Sequence, residues 1–345
     1  MKTVQRIFKY DFLRTVAIVI VVANHILTKF DSTPFENSIS DYLNTFLKFA
    51  VPLFLFISGA LYRIDGNWKY LFRKLWKIVS IYLIYFIPST IYLWWKESAF
   101  ETSFKFDFSG LLLGREFGHY FIFVFVSIVI VGFILLRFKT FQKNTLYLFL
   151  STLILSLIWL SVDELIYHTY GWYDKNIFHF RLNDLVFYRN PFTWTAFFTF
   201  GIWYQKKEVQ EGIESKKNLL FGLLLGIFFI YNFMYFNHLG DYTPYGSIIW
   251  LLYAMLLIPF FIRLSKFVKE RSFIVSISLV SFHIFLTHYF IIYFLQEIND
   301  RTVSGLPYYL APLLFLIVLF TSTVLSLGIF KTGQYISHKY FHPKN

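Results

Sequence analysis

The first apolar run of the chain carries three groups that hydrocarbon does not tolerate cheaply: Asp11, Arg14 and His25, in the segment DFLRTVAIVIVVANH. An ionisable side chain at the centre of a spanning helix costs about 2.5–3.5 kcal/mol on insertion scales and less near the ends, so such residues face a bundle interior and mark functional positions. Arg14 and His25 are eleven residues apart. At about 100° and 1.5 Å per residue they return to within about 20° of one direction, about 16 Å apart along the axis. One helix face therefore offers a cation near one end and an imidazole toward the other, which suits the two ends of one long ligand. The imidazole, titrating near neutrality, can take a proton from a hydroxyl. Asp11, one turn before Arg14, is placed to pair with it and fix the guanidinium. Taken singly, Arg14 also fits a snorkelling anchor and His25 a buried histidine bonded to a neighbouring helix. Their shared face, with Asn24 alongside, favours chemistry.

Further candidates lie elsewhere. Arg73, Lys74 and Lys77 form a basic cluster in the stretch RKLWK, which fits either phosphate binding or an ordinary positive loop. His119 and His288 are expected toward the outer side, where they would line the acceptor end, orient His25, or serve structure alone. His283 lies five residues before His288, on a different helix face, so no metal pair is read there. Ser58 and Gly59 sit together in an apolar run, where close helix packing is the expected role.

The elements that must position these residues are membrane helices. Of 345 residues, 57% are hydrophobic, 23% aromatic and only 15% charged, a mix that requires lipid as the main solvent. With about 20 apolar residues needed per crossing, ten runs qualify: 12–30, 42–62, 75–95, 118–136, 145–162, 191–205, 218–236, 246–262, 273–296 and 308–330. The sixth is short. With the N-terminus inside, 22 lysines and arginines fall on the inner side and eight on the outer, while 14 of the 20 acidic residues fall outside. That asymmetry predicts an all-α integral membrane protein, a bundle of about ten transmembrane helices with both termini cytoplasmic, in the plasma membrane. It also explains the net charge of +12 as topology and leaves nucleic acid without support. There are no cysteines, which excludes disulfides, thiolate metal sites and a cysteine nucleophile. The first run has no small-residue cleavage pattern behind it, so a retained helix is expected. One membrane domain over 1–345 is the simplest organisation. The outer loops 96–117 and 163–190 are rich in aromatic residues, as saccharide clefts and interfacial belts both are.

The residues resemble those of a known family, the ten-helix membrane acyltransferases of acyltransferase family 3. Its mark is an Arg and a His separated by ten residues in the first helix, matched by Arg14 and His25. The run VPLFLFISG from Val51 to Gly59 is similar to the second-helix signature, and His119-Tyr-Phe and Ile284-Phe-Leu-Thr-His288 fit the fourth and ninth helices. The family's Arg, two residues, Arg pattern is represented here by Arg73, Lys74 and Lys77. The resemblance implies transfer of an acyl group, usually acetyl, from acyl-CoA on the cytoplasmic side to a carbohydrate hydroxyl on the outer side. The implied co-substrate is acyl-CoA, with no tightly bound cofactor and no metal. Arg14, Arg73, Lys74 and Lys77 would hold its phosphates, and His25 would act as base. Within the family the chain is similar to members encoded beside bacterial exopolysaccharide genes, which makes a polysaccharide or lipid-linked glycan the expected acceptor. Two alternatives stand beside this: a glycan exporter whose charges line the path, and a scaffolding subunit of a glycan synthase complex.

Overall fold

The computed structural model of the chain describes residues 7–29, 46–99, 120–170, 176–177, 180–181, 190–215, 222, 226, 248–302 and 310–341. In chain order the helices are α1 (Phe8–Lys29), α2 (Ala50–Ala60), α3 (Trp68–Ala99), α4 (Tyr120–Leu135), α5 (Lys139–Lys143), α6 (Thr145–Tyr170), α7 (Pro191–Tyr204), α8 (Lys207–Glu214), α9 (Ile248–Leu264), α10 (Ser272–Thr302) and α11 (Ala311–Phe341). Between α6 and α7 lie two strands of two residues, β1 (Asn176–Ile177) and β2 (Phe180–Arg181), paired antiparallel with Asn176 opposite Arg181. The all-α expectation thus describes the apolar runs, while the loop 163–190 also contains a small hairpin. The seventh run, 218–236, apart from Gly222 and Gly226, lies outside the described residues, as do His119 and the loop 100–117.

Among the described residues, four helices are long and apolar enough to cross a membrane: Phe8–Thr28, Thr145–Val162, Ser272–Glu297 and Ala311–Gly333. The first, 21 residues long, rises about 31 Å, close to the hydrocarbon thickness of about 30 Å. Burial on α11 is reversed from that of a water-soluble helix: Ser322 and Ser326 are fully buried, while Phe320 is 71% exposed and Leu313, Leu316 and Val324 are exposed beside it. Small polar residues inward and large apolar ones outward are what lipid requires.

The chain falls into two compact units, one made of residues 1–50 with 265–345 and one of residues 51–264. In the first, α1 packs on α10 and α11, and α10 packs on α11. Side-chain hydrogen bonds fix the directions of these helices. Ser278 donates to Asp11 at 2.7 Å, and Tyr289 meets His25 at 2.9 Å, so residue numbers rise together and α1 and α10 run parallel. Thr15 Oγ1 adds a bond to the Ile274 carbonyl at 2.8 Å. Thr287 meets Ser326 at 3.4 Å and the His283 ring meets Phe330, so α10 and α11 run antiparallel.

The second unit is organised around α7. Asn190 caps this helix, its side chain accepting from the Phe192 N–H, and Pro191 opens it, where a missing N–H is harmless. Eleven of its 14 residues are buried, packed against α6 and α4. At about 21 Å it is shorter than the bilayer core, and its covering is protein. Two glycines bring α2 and α7 together: a Cβ on Gly59 would overlap the Phe198 carbonyl, and one on Gly201 would overlap the Phe56 carbonyl. Gly59 thus has the packing role its sequence context suggested. Thr152 and Thr199 meet at 2.6 Å across α6 and α7, and Ser156 donates to the Phe192 carbonyl at 2.6 Å. These hydroxyls find partners inside the protein, as groups shielded from water must.

Candidate functional site

The arc of α1 that is most completely covered contains Leu13, Ala17, Ile18, Val21, Val22 and Ile26, each 3% exposed or less. Arg14 and His25 point within this arc, their directions falling between those of Val21 and Ile18, with successive members about 20° apart on the wheel. Neither is covered as its neighbours are: the Arg14 side chain is 34% exposed and His25 is part-exposed. A covered helix face that opens at its two ionisable positions is the geometry of side chains held by protein yet reachable by a ligand.

Asp11 is buried, and Ser278 Oγ donates to its Oδ1. Arg14 Nη1 lies 3.9 Å from the same oxygen, an ion-pair distance too long for a hydrogen bond. The carboxylate therefore balances the guanidinium electrostatically while α10 fixes its rotamer.

His25 lies among aromatic rings from α10. Its Nδ1 is 2.9 Å from Tyr289 Oη, and its ring stacks on His288 with centroids 5.3 Å apart and planes 27° apart. His288 is fully buried. Its Nδ1 is 3.0 Å from the Ile284 carbonyl, and since a carbonyl only accepts, Nδ1 carries the hydrogen there. Tyr289 also packs on Tyr293, ring centroids 6.1 Å apart. His288 thus stands behind His25 as a wall, within one turn of α10. Asn24, one residue before His25, is buried, with an amide oxygen that has no hydrogen-bond partner among the described residues.

Sequence reasoning singled out Asp11, Arg14, His25 and His288, of which the structure pairs Asp11 with Arg14 and His25 with His288, but it missed Ser278 and Tyr289. A signal existed: these two are also eleven residues apart, so they share a face of α10 as Arg14 and His25 share one of α1.

The basic cluster belongs to the second unit, at the start of α3. Arg73 and Lys77 are exposed, with Phe72 and Trp76 exposed beside them. Lys74 is half-buried, its Nζ 4.4 Å from the Tyr62 ring centroid and 6.0 Å from that of Tyr70. Loss of water there pushes its ammonium down to about 8. Nearby, Arg137 donates to the Gly66 carbonyl at 2.6 Å and packs on the Phe133 ring, bracing the turn before α3.

Residues 7–331 match a protein family described as an acyltransferase domain. The chain is also similar to proteins of Staphylococcus aureus, from strains MRSA252 and MSSA476, each named "Probable poly-beta-1,6-N-acetyl-D-glucosamine export protein". Identity is 24% over 297 residues, covering 80% of this chain and 80% of each relative. No solved structure matches.

Proposed function

The chain belongs to acyltransferase family 3, and on that premise we propose that it is a membrane O-acyltransferase acting on a carbohydrate hydroxyl. The donor is acyl-CoA, with acetyl the group expected, and the acceptor is a cell-surface or exported polysaccharide or its lipid-linked precursor. The carrying observation is the face of α1 on which Arg14 and His25 remain reachable among covered neighbours. In this reading the protein crosses the plasma membrane ten times with both termini in the cytoplasm. The family resemblance assigns the donor phosphates to Arg14 and to the cluster Arg73, Lys74 and Lys77. His25 takes the proton of the attacking hydroxyl as its oxygen bonds to the acyl carbon, the thioester C–S bond breaks, and the proton passes to the departing thiolate. The products are an ester and the free thiol. Asp11 holds Arg14 in place, and His288 backs the His25 ring. His119 is assigned to the acceptor end from the family resemblance.

The test uses purified protein in liposomes, radiolabelled acetyl-CoA and a short β-1,6-N-acetylglucosamine oligosaccharide. Labelled ester should form, and His25→Ala should lower its rate by about 10²-fold or more, the usual scale of general-base catalysis. Transfer undiminished by that substitution would remove the proposal's chemical centre.

The relatives' name favours a second reading, in which the bundle exports a glycan. Loss of export from cells carrying His25→Ala, with ester formation intact in liposomes, would select it.

A further inference from the structure

We infer that Tyr289 is a positioning residue that holds the His25 imidazole in the tautomer able to accept a proton, an inference that rests on His25 being the base proposed above. A neutral imidazole has one nitrogen with hydrogen and one with a lone pair, and the bond made by one decides what the other can do. His25 Nδ1 lies 2.9 Å from Tyr289 Oη. If the phenol donates, Nδ1 holds the lone pair, Nε2 carries hydrogen, and Nε2 cannot take a proton. If Nδ1–H donates to the phenol oxygen, Nε2 carries the lone pair that receives the hydroxyl proton, and the imidazolium formed keeps the same bond without rearrangement.

That bond also strengthens as charge develops. Nδ1–H donating from an imidazolium is a charge-assisted bond, stronger than the neutral one before it. A contact that gains strength along the reaction accelerates it, whereas one of constant strength does not. Tyr289 is buried, so the phenol oxygen does not have to compete with bulk water for this role. The rings around it restrict alternatives: His288 stacks on His25 and is itself tied through Nδ1 to the Ile284 carbonyl. Tyr293 packs on Tyr289 from one turn further along α10.

The step conserves atoms as before: the hydroxyl proton moves to His25 Nε2 and then to the thiolate, while the Tyr289 proton stays on its oxygen throughout. Tyr289 touches neither substrate in this scheme and acts only through His25.

The experiment compares full-length wild type with Tyr289→Phe in liposomes, using acetyl-CoA and the β-1,6-N-acetylglucosamine oligosaccharide. The expected result is a kcat lowered by about ten-fold or more with KM for acetyl-CoA within about two-fold and an unchanged melting temperature. Nitrogen-15 NMR of histidine-labelled protein, with the His25 signal assigned by its loss in His25→Ala, should show Nδ1 protonated in the wild type. In Tyr289→Phe it should show a mixture of tautomers. Wild-type protein that transfers nothing would sink the function proposal and this inference with it. Normal wild-type transfer with kcat preserved in Tyr289→Phe would sink the inference alone. So would a His25 tautomer that is the same in both proteins, including the case where kcat falls only with the amount of folded protein.

Discussion

Lys74 has its ammonium against two tyrosine faces, and burial has lowered its proton affinity to about 8 from the usual 10.5. The sign of the consequence is fixed: below pH 8 the group is mostly a cation, and as pH rises through 8 it becomes a neutral amine while an exposed lysine stays charged. If it holds a donor phosphate, acetyl-CoA affinity should weaken between pH 7 and 9, and binding above pH 8 should take up protons. Lys74→Arg should flatten that decline, because a guanidinium keeps its charge across the range. Isothermal titration at several pH values checks both; an affinity that stays level in the wild type would remove Lys74 from the phosphate site. The charged members of the site were legible in the sequence because lipid makes them conspicuous: Asp11, Arg14 and His25 stand out in an apolar run. Tyr289 did not stand out. It is one of 25 tyrosines, and a tyrosine in a spanning helix carries no comparable penalty to mark it. Likewise the sequence presented Arg73, Lys74 and Lys77 as equals, and only the Tyr62 and Tyr70 rings distinguish the middle one.

At the scale of elements, the crossing of α2 and α7 depends on two residues without side chains. Gly59→Val would drive a branched side chain into the Phe198 carbonyl, a backbone atom that cannot swing aside. A loss of about 1–3 kcal/mol or more is expected, read as a lowered melting temperature in detergent. Gly212→Ala in α8 is the control: among the described residues no atom outside its own stretch of helix lies within 4 Å of the added methyl, so that variant should be neutral or slightly stabilised. This crossing was half legible. The Ser-Gly pair predicted close packing, but Gly201 gave no comparable sign of being its counterpart, since nothing in a single sequence says which runs will cross. Helix limits were legible where a cap is local, as at Asn190 and Pro191. Where helices continue past the apolar core, as α6 does to Tyr170 and α11 to Phe341, hydropathy marked the membrane portion and missed the rest.

At the scale of the molecule, the parallel run of α1 and α10 requires an odd number of crossings between them if both span the bilayer. The apolar runs of the sequence make them the first and ninth of ten, with seven between, and the parallel direction of the two helices has that parity. Accessible tags at the N-terminus and in the segment 266–271 should therefore label from the same side of sealed vesicles, and a tag after α10 from the opposite side. Tags at the first two sites labelling from opposite sides would rule out the ten-span arrangement. The order of apolar runs thus gave the relative direction of the two helices, while their neighbours emerged only from long-range hydrogen bonds that leave no local trace.

The same parallel pair imposes an order on biosynthesis. Tyr289 follows His25 by 264 residues, so at about 5–20 residues per second a ribosome needs roughly 13–50 s to supply the helix that completes the site. During that interval the Asp11–Arg14 pair and the His25 imidazole must be sheltered by headgroups, water or an insertion factor, because Ser278 and Tyr289 have not yet been made.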